Sequence, residues 1–277
     1  MKKLSTLSSY MLLSLFGLIM IYPLLWLVSA TFRTNAEIFS SIGLIPSHIN
    51  WDSYINGWKG TGQYSFGTFY TNSILLTLPV VVGTALSSLL VGYGFVRFEF
   101  PLKKILFSLM ISTLMLPGAV IIIPRYLLFK QLGWLDSYLP FIIPAFLGTF
   151  PFFNFMMVQF FRGLPRELDE SAKMDGCGSF GILLRILLPL CKPAVFSVSI
   201  IQFIWVWNDF FNVLIYVNSV RKFTLPLALR MSLDAVANVN WSEIMAMSLL
   251  TMLPCIFIFF LAQKHFVEGI STTGLKG

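Results

Sequence analysis

Apolar runs about twenty residues long, parted by short polar loops, dominate the chain. They show no strict alternation, so they predict helices rather than strands, because only helices or closed barrels satisfy the backbone in lipid. The first run covers 10–30, with no charge between Lys3 and Arg33. Five more cover 71–96, 105–124, 137–161, 193–217 and 244–263. Together they predict an all-α membrane protein with six transmembrane helices. The stretch between the first two runs is too polar to span. Its Trp51, Tyr54 and Trp58 suit a membrane–water boundary. No internal repeat or linker separates folding units, so 1–277 reads as a single transmembrane domain.

Composition agrees with this pattern. Only 11% of residues are charged, and 57% are hydrophobic, against about 25% charged in soluble domains. The formal net charge of +7 raises nucleic acid as a partner. However, the basic residues sit mostly in short loops beside apolar runs, which is a membrane-topology pattern. Counting Lys and Arg across six spans puts twelve on the side of the N-terminus and seven on the other. The bias predicts cytoplasmic N- and C-termini and a cytoplasmic loop at 162–192. Cys177, Cys191 and Cys255 are too scattered for a disulfide framework or a metal site. The N-terminal run lacks a small-residue cleavage site and is long enough to span, so it reads as an uncleaved helix.

The loop at 162–192 breaks the greasy pattern. Pro165 suits a first helical position. Glu167, Asp169 and Glu170 follow where the helix dipole favours negative charge. Gly176 stands where a left-handed stop belongs, and Ser179 could cap a second helix from Phe180 to Leu188. Helix, glycine turn and helix would make a compact knob standing off the membrane.

Glu170, Ser171, Ala172 and Gly176, followed after nine residues by Ile186, Leu188 and Pro189, resemble the signature of permease subunits of ABC importers. Ser171 stands where Ala is commoner; both are small. The resemblance implies a type I importer permease whose loop is a coupling helix docking into the cleft of a cytoplasmic ATPase. By it, Glu170, Ser171, Ala172, Asp175, Gly176, Ile186 and Pro189 form the coupling site. Three more passages extend the likeness along the chain: Pro124-Arg-Tyr126 with Leu132 to Tyr138, Trp207 to Phe211 with Phe223 to Leu227, and Phe266 to Gly269 with Gly274 to Gly277. They resemble the second permease subunit of sugar importers of the maltose-permease type. Gly274, Lys276 and Gly277 would then be a tail contacting the ATPase.

The chain carries no G-x4-G-K-[ST] phosphate loop. The resemblance therefore implies that ATP and magnesium belong to two partner ATPase subunits, and that this chain has no cofactor and is not an enzyme. It also implies a homologous second permease, an extracellular solute-binding protein, surrounding lipid and a sugar or oligosaccharide substrate at a bacterial cell membrane. Nucleic acid is not a partner. For the substrate path, sugars need aromatic platforms for their C–H faces and amides or acids for their hydroxyls. Gln202, Trp205, Asn208 and Asp209 supply both, with Asn154 in the fourth run a further candidate. Trp205 and Trp207 also fit an interfacial belt, and Asp209 a structural partner; both readings stand on sequence. A permease for amino acids or peptides shares the knob. An ATP-independent carrier would want paired intramembrane acids, which the runs lack.

Overall fold

A computed structural model of the chain describes residues 2–40, 43–60, 63–234 and 239–273. In chain order the helices are α1 (Lys2–Ala30), α2 (Asn35–Ser40), α3 (Asp52–Lys59), α4 (Phe66–Arg97), α5 (Lys103–Leu114), α6 (Gly118–Gln131), α7 (Leu139–Phe146) and α8 (Pro151–Arg162). There follow α9 (Glu167–Met174), α10 (Ser179–Ile182), a π-helical turn (Leu183–Leu187), α11 (Leu188–Trp207), α12 (Phe211–Tyr216), α13 (Leu225–Asp234) and α14 (Trp241–Thr273). No strand occurs among the described residues.

Five apolar segments are long enough to span singly: Ser9–Ala30, Phe66–Arg97, Leu139–Arg162, Ser179–Trp207 and Trp241–Leu261. A sixth is a bent pair, and here the structure departs from the expected helix over 105–124. α5 and α6 meet at 107°. Pro117 explains the break: it is extended (φ −60°, ψ 132°), and its ring restricts Leu116 to non-helical conformations. The fifth span also differs from the expected 193–217. It starts at Ser179 and runs through Pro189 and Pro193. Pro189 lies in the first turn of α11, where a missing N–H is tolerated. Just before it the Leu188 N–H reaches back to the Leu183 carbonyl, five residues away, so one π turn joins knob and span.

The described residues pack as two compact units, 1–70 with 227–254, and 71–226 with 255–277. In the first, the most apolar stretch of Ser9–Ala30 is 0% buried, so α1 presents its apolar side chains outward there. Arg33 is buried, and its guanidinium donates to the Ser29 hydroxyl (3.1 Å) and the Gly43 carbonyl. Glu37 accepts from the Ser47 N–H at 2.7 Å. Phe32, Trp51 and Tyr54 cluster with centroids 5.0–5.8 Å apart.

The second unit holds the main core. Leu89, Tyr93 and Val96 of α4 meet Phe153, Met157, Val158 and Phe161 of α8, and Leu183, Leu187, Cys191 and Val198 of the fifth span. α4 and α8 approach closely at Gly92, where an added Cβ would lie 2.8 Å from the Met157 Cβ. Far along the chain, Asp136 ties two loops together. Its carboxylate accepts from the Ser219 hydroxyl (2.6 Å) and N–H (2.8 Å), the Asn218 N–H (3.0 Å) and Lys222 Nζ (3.0 Å). These donors, Ser219 foremost, hold the carboxyl well below the usual carboxylate range.

Candidate functional site

The knob is built from α9 and its glycine stop. Glu167, Asp169 and Glu170 occupy the first turn. At the other end Asp175 is the cap residue and Gly176 adopts φ +79°. The Cys177 N–H bonds the Ala172 carbonyl (2.9 Å) and the Gly176 N–H bonds that of Lys173 (3.0 Å). This pair of bonds is the Schellman closure that a left-handed glycine permits. Gly178, rather than Ser179, occupies the cap position of α10, with no side-chain cap; Ser179 is the first helical residue.

α9 has two faces. Asp169 and Ala172, one turn apart, are buried. Glu170, Ser171, Lys173, Met174 and Asp175 are exposed. Ala172 joins the core with Ile182, Leu183 and Leu187, and Ile186 packs against it half-buried, while Pro189 is exposed. Asp169 forms an ion pair with Arg97 at the end of α4: Oδ2 to Nε is 2.7 Å, with side chains 10% and 7% exposed. Arg97 Nη2 also donates to the carbonyls of Leu164 (3.1 Å) and Pro165 (3.2 Å). The Tyr93 hydroxyl donates to the Ser179 carbonyl at 2.9 Å. The knob is thus fixed to α4 at both of its ends, with its second acidic face left free. Sequence reasoning singles out Glu170 and Asp175 and misses Asp169 and Arg97. The usable signal is the i, i+3 spacing of Asp169 and Ala172, which marks an inward stripe.

At the far end of the same span lies a cavity of about 1300 Å³ within the second unit. Gln202, Trp205, Asn208 and Asp209 all line it, together with Arg125, Phe129, Phe141, Thr149, Asn212 and Tyr216. Gln202 is 1% exposed, and its Oε1 has no hydrogen-bond partner among the described residues. A buried amide oxygen so placed calls for a ligand or water donor. Trp205 is half-exposed and packs on Phe153 and Phe152, with centroids at 5.1 and 5.3 Å. Asp209 is engaged: Asn212 donates to it through its N–H (3.0 Å) and its amide (2.8 and 3.0 Å), which steadies the start of α12. Asn208 donates to the Ile204 carbonyl at 2.8 Å. Asn154 lies apart from the lining; its amide closes the turn between α7 and α8 on the Gly148 carbonyl (2.6 Å). Arg125, Asn212 and Tyr216 are not expected as lining from sequence: Arg125 comes from α6, beyond the bend with α5, and Asn212 and Tyr216 come from α12, past the end of the span. Gly274, Lys276 and Gly277 lie outside the described residues.

A multi-helix membrane scaffold carrying a charged knob at one end of a span and a roomy cavity at the other defines a polytopic permease. Residues 83–272 match the model of the family described as "Binding-protein-dependent transport system inner membrane component", and the chain belongs to that family. It is a permease subunit of an ABC importer and not an enzyme; ATP hydrolysis resides on a separate subunit of such systems. Among its relatives, the arabinooligosaccharides transport system permease protein AraQ of Bacillus subtilis (strain 168) is 34% identical, over 97% of this chain and 94% of that one. The galactooligosaccharides transport system permease protein GanQ of the same organism is 31% identical over 97% and 95%. In three dimensions the chain is similar to a chain of a bacterial ABC transporter involved in the import of the acidic polysaccharide alginate. That likeness has a TM-score of 0.85 at 22% identity and covers 95% of this chain and 97% of that one.

Proposed function

We propose that this chain is one half of the translocation path of an importer for sugars or oligosaccharides, working by alternating access. The observation that carries the reading is a cavity walled by Trp205 and other aromatics, with Gln202 in its lining and the Gln202 Oε1 buried there without a partner among the described residues. Aromatic faces suit the C–H surfaces of pyranose rings, and an unpaired amide suits a hydroxyl. Relatives bearing oligosaccharide names support the same class. The partners in this reading are a homologous second permease in a heterodimer, an extracellular solute-binding protein and two ATPase subunits that hold ATP and magnesium. The N- and C-termini and the knob face the cytoplasm of a bacterial cell, and lipid surrounds the spans.

ATP closes the ATPase dimer, and Glu170, Ser171, Asp175 and Gly176 meet its cleft. Ala172, Ile186 and Pro189 carry the movement into the fifth span, and the tail residues Gly274, Lys276 and Gly277 add a second contact. Binding energy that differs between two states then rocks the spans about the cavity. The Ser179–Trp207 span has 29 residues, about 43 Å at 1.5 Å per residue, so one element links coupling to path.

Glu170→Ala and Gly176→Val test this. Neither residue lies in a span, so membrane insertion should persist. Uptake of the sugar bound by the cognate binding protein should collapse, because a truncated interfacial charge costs about 2–5 kcal/mol. At Gly176 a Cβ meets nothing within 4 Å, so within this chain the cost is backbone strain of about 1 kcal/mol and the remainder lies in the partner cleft. Wild-type uptake with normal ATPase assembly in both variants would remove the knob from coupling. A ligand screen of the binding protein that returned amino acids or peptides would overturn the sugar assignment.

A further inference from the structure

Beside the knob, a second cavity of about 640 Å³ is lined by the basic Lys103, Lys104 and Arg162 and the aromatic Phe95, Phe100 and Phe107. None of the coupling or path residues named above lines it. We infer that it binds the headgroup of an anionic phospholipid, with the acyl chains along its aromatic wall.

Position comes first. Arg97 and Arg162 are the last residues of two apolar spans, and Lys103 opens α5 directly after the loop from α4. These ends mark one membrane boundary, the depth at which phosphates lie. The charges come next. Lys103, Lys104 and Arg162 face a single acid, Glu99, which Lys103 already pairs at 2.9 Å. The pocket keeps a surplus of positive charge on Lys104 and Arg162, both exposed. Basic pockets of this kind between membrane helices bind acidic lipid headgroups.

The walls complete the match. Phe107 lies 4.8 Å beneath the guanidinium of Arg162, which is an exposed residue. Phe95 meets Phe100 and Phe107 with centroids at 5.6 and 5.8 Å. Leu102, at the rim, holds φ 62° while 64% exposed. A non-glycine residue in the left-handed region is strained, and such strain collects at ligand clamps. Topology alone would ask for basic residues here, but for neither an aromatic-walled cavity nor a strained apolar rim. A soluble phosphate would use the cations and leave the walls unused.

The test is native mass spectrometry of the full importer, purified in detergent and titrated with phosphatidylglycerol or phosphatidylcholine. The wild type should retain phosphatidylglycerol selectively. Lys104→Gln with Arg162→Gln should weaken retention about thirtyfold, from roughly fivefold per basic side chain at a membrane surface. Leu102→Ser with Phe100→Ser should weaken it too, and Lys130→Gln, on α6 outside this lining, should not. Equal retention of the two lipids, or retention unchanged in the Lys104/Arg162 variant, overturns the proposal. So does displacement by inorganic phosphate alone, which would assign the cations to a free anion. Retention by the isolated chain that vanishes in the assembled importer would give the pocket to a protein partner and would overturn the proposal as well.

Discussion

The two ends of the Ser179–Trp207 span are built on opposite plans. At the knob end Ile182, Leu183, Leu187 and Cys191 are all within 1% of complete burial, and an ion pair with further hydrogen bonds fixes the knob to α4. At the cavity end Trp205 is 51% exposed and Asn208 is exposed beside it. Dense packing transmits displacement, because interiors at crystal-like density do not deform continuously. An open aromatic wall can adapt to a changing ligand. One element therefore carries a stiff receiver and a yielding path, and a permease needs both.

The largest effect should come from breaking the stiff end. Arg97→Ala or Asp169→Ala leaves a lone charge at a site 7–10% exposed, and such truncations cost about 3–5 kcal/mol. The pair Arg97→Met with Asp169→Leu should recover most of that. Asn208→Ala at the cavity end should cost under about 1 kcal/mol, since that side chain is exposed. Thermal unfolding of the detergent-purified chain measures all four. Equal losses at the two ends would erase the contrast.

Glycines sharpen the same contrast. An added Cβ at Gly92 meets the Met157 Cβ at 2.8 Å and its carbonyl carbon at 3.1 Å, both tied to the α8 backbone. At Gly83 it meets the Phe146 ring at 2.7 Å, but that ring is half-exposed and can swing. Gly92→Ala should therefore cost about 1–3 kcal/mol as an overpacked contact, and Gly83→Ala under about 1 kcal/mol. Melting curves that ranked the two the other way would show α4 and α8 to be separable.

Much of this is legible in the sequence, and the failures share a cause. Hydropathy locates the apolar segments and local turn chemistry places Gly176, because both depend on neighbours in the chain. Gln202, Trp205, Asn208 and Asp209 come out together because they share one helical end. Hydropathy records composition and not direction, so it runs straight through Pro117, although Pro117-Gly118 is a turn dipeptide. Pro189 and Pro193 mislead in the opposite sense, marking a boundary where one π turn carries the helix on. The Arg97–Asp169 pair joins segments remote in sequence, and no local pattern announces it. Asn154 reads as path lining because an intramembrane amide looks alike whether it meets substrate or closes a turn.

Asp136 offers a smaller test, in a loop rather than a span. Its folded-state pKa is depressed, so its contribution is complete above the ordinary value of about 3.9 and is lost only as pH falls through the lower folded value. The tie between the loops at 132–138 and 217–223 should hold unchanged from pH 8 to about pH 5. Asp136→Asn should loosen it at every pH by about 1 kcal/mol, a modest figure because the side chain is 32% exposed. Hydrogen exchange of the Asn218 and Ser219 amides is the readout. A wild-type midpoint near pH 6 would mean that another group carries the tie.

The smallest effect concerns the knob's free face. Asp175 and Glu170 are both exposed, yet they stand at opposite ends of α9. Glu170 lies in the first turn, where the helix dipole favours it; Asp175 caps the last turn, where the dipole opposes it. Asp175→Asn should therefore leave the purified chain as stable as before, or more stable by about 0.3 kcal/mol. If Asp175 meets the cleft only as an exposed charge, uptake by the Asp175 variant should stay within about twofold of wild type, the scale of a weak exposed ion pair. A fall as deep as that of Glu170→Ala would mean that both acids are buried and paired in the partner cleft. Keeping Asp175 against the dipole would then be a stability cost of that contact, and the free face would act as one surface rather than through a single residue.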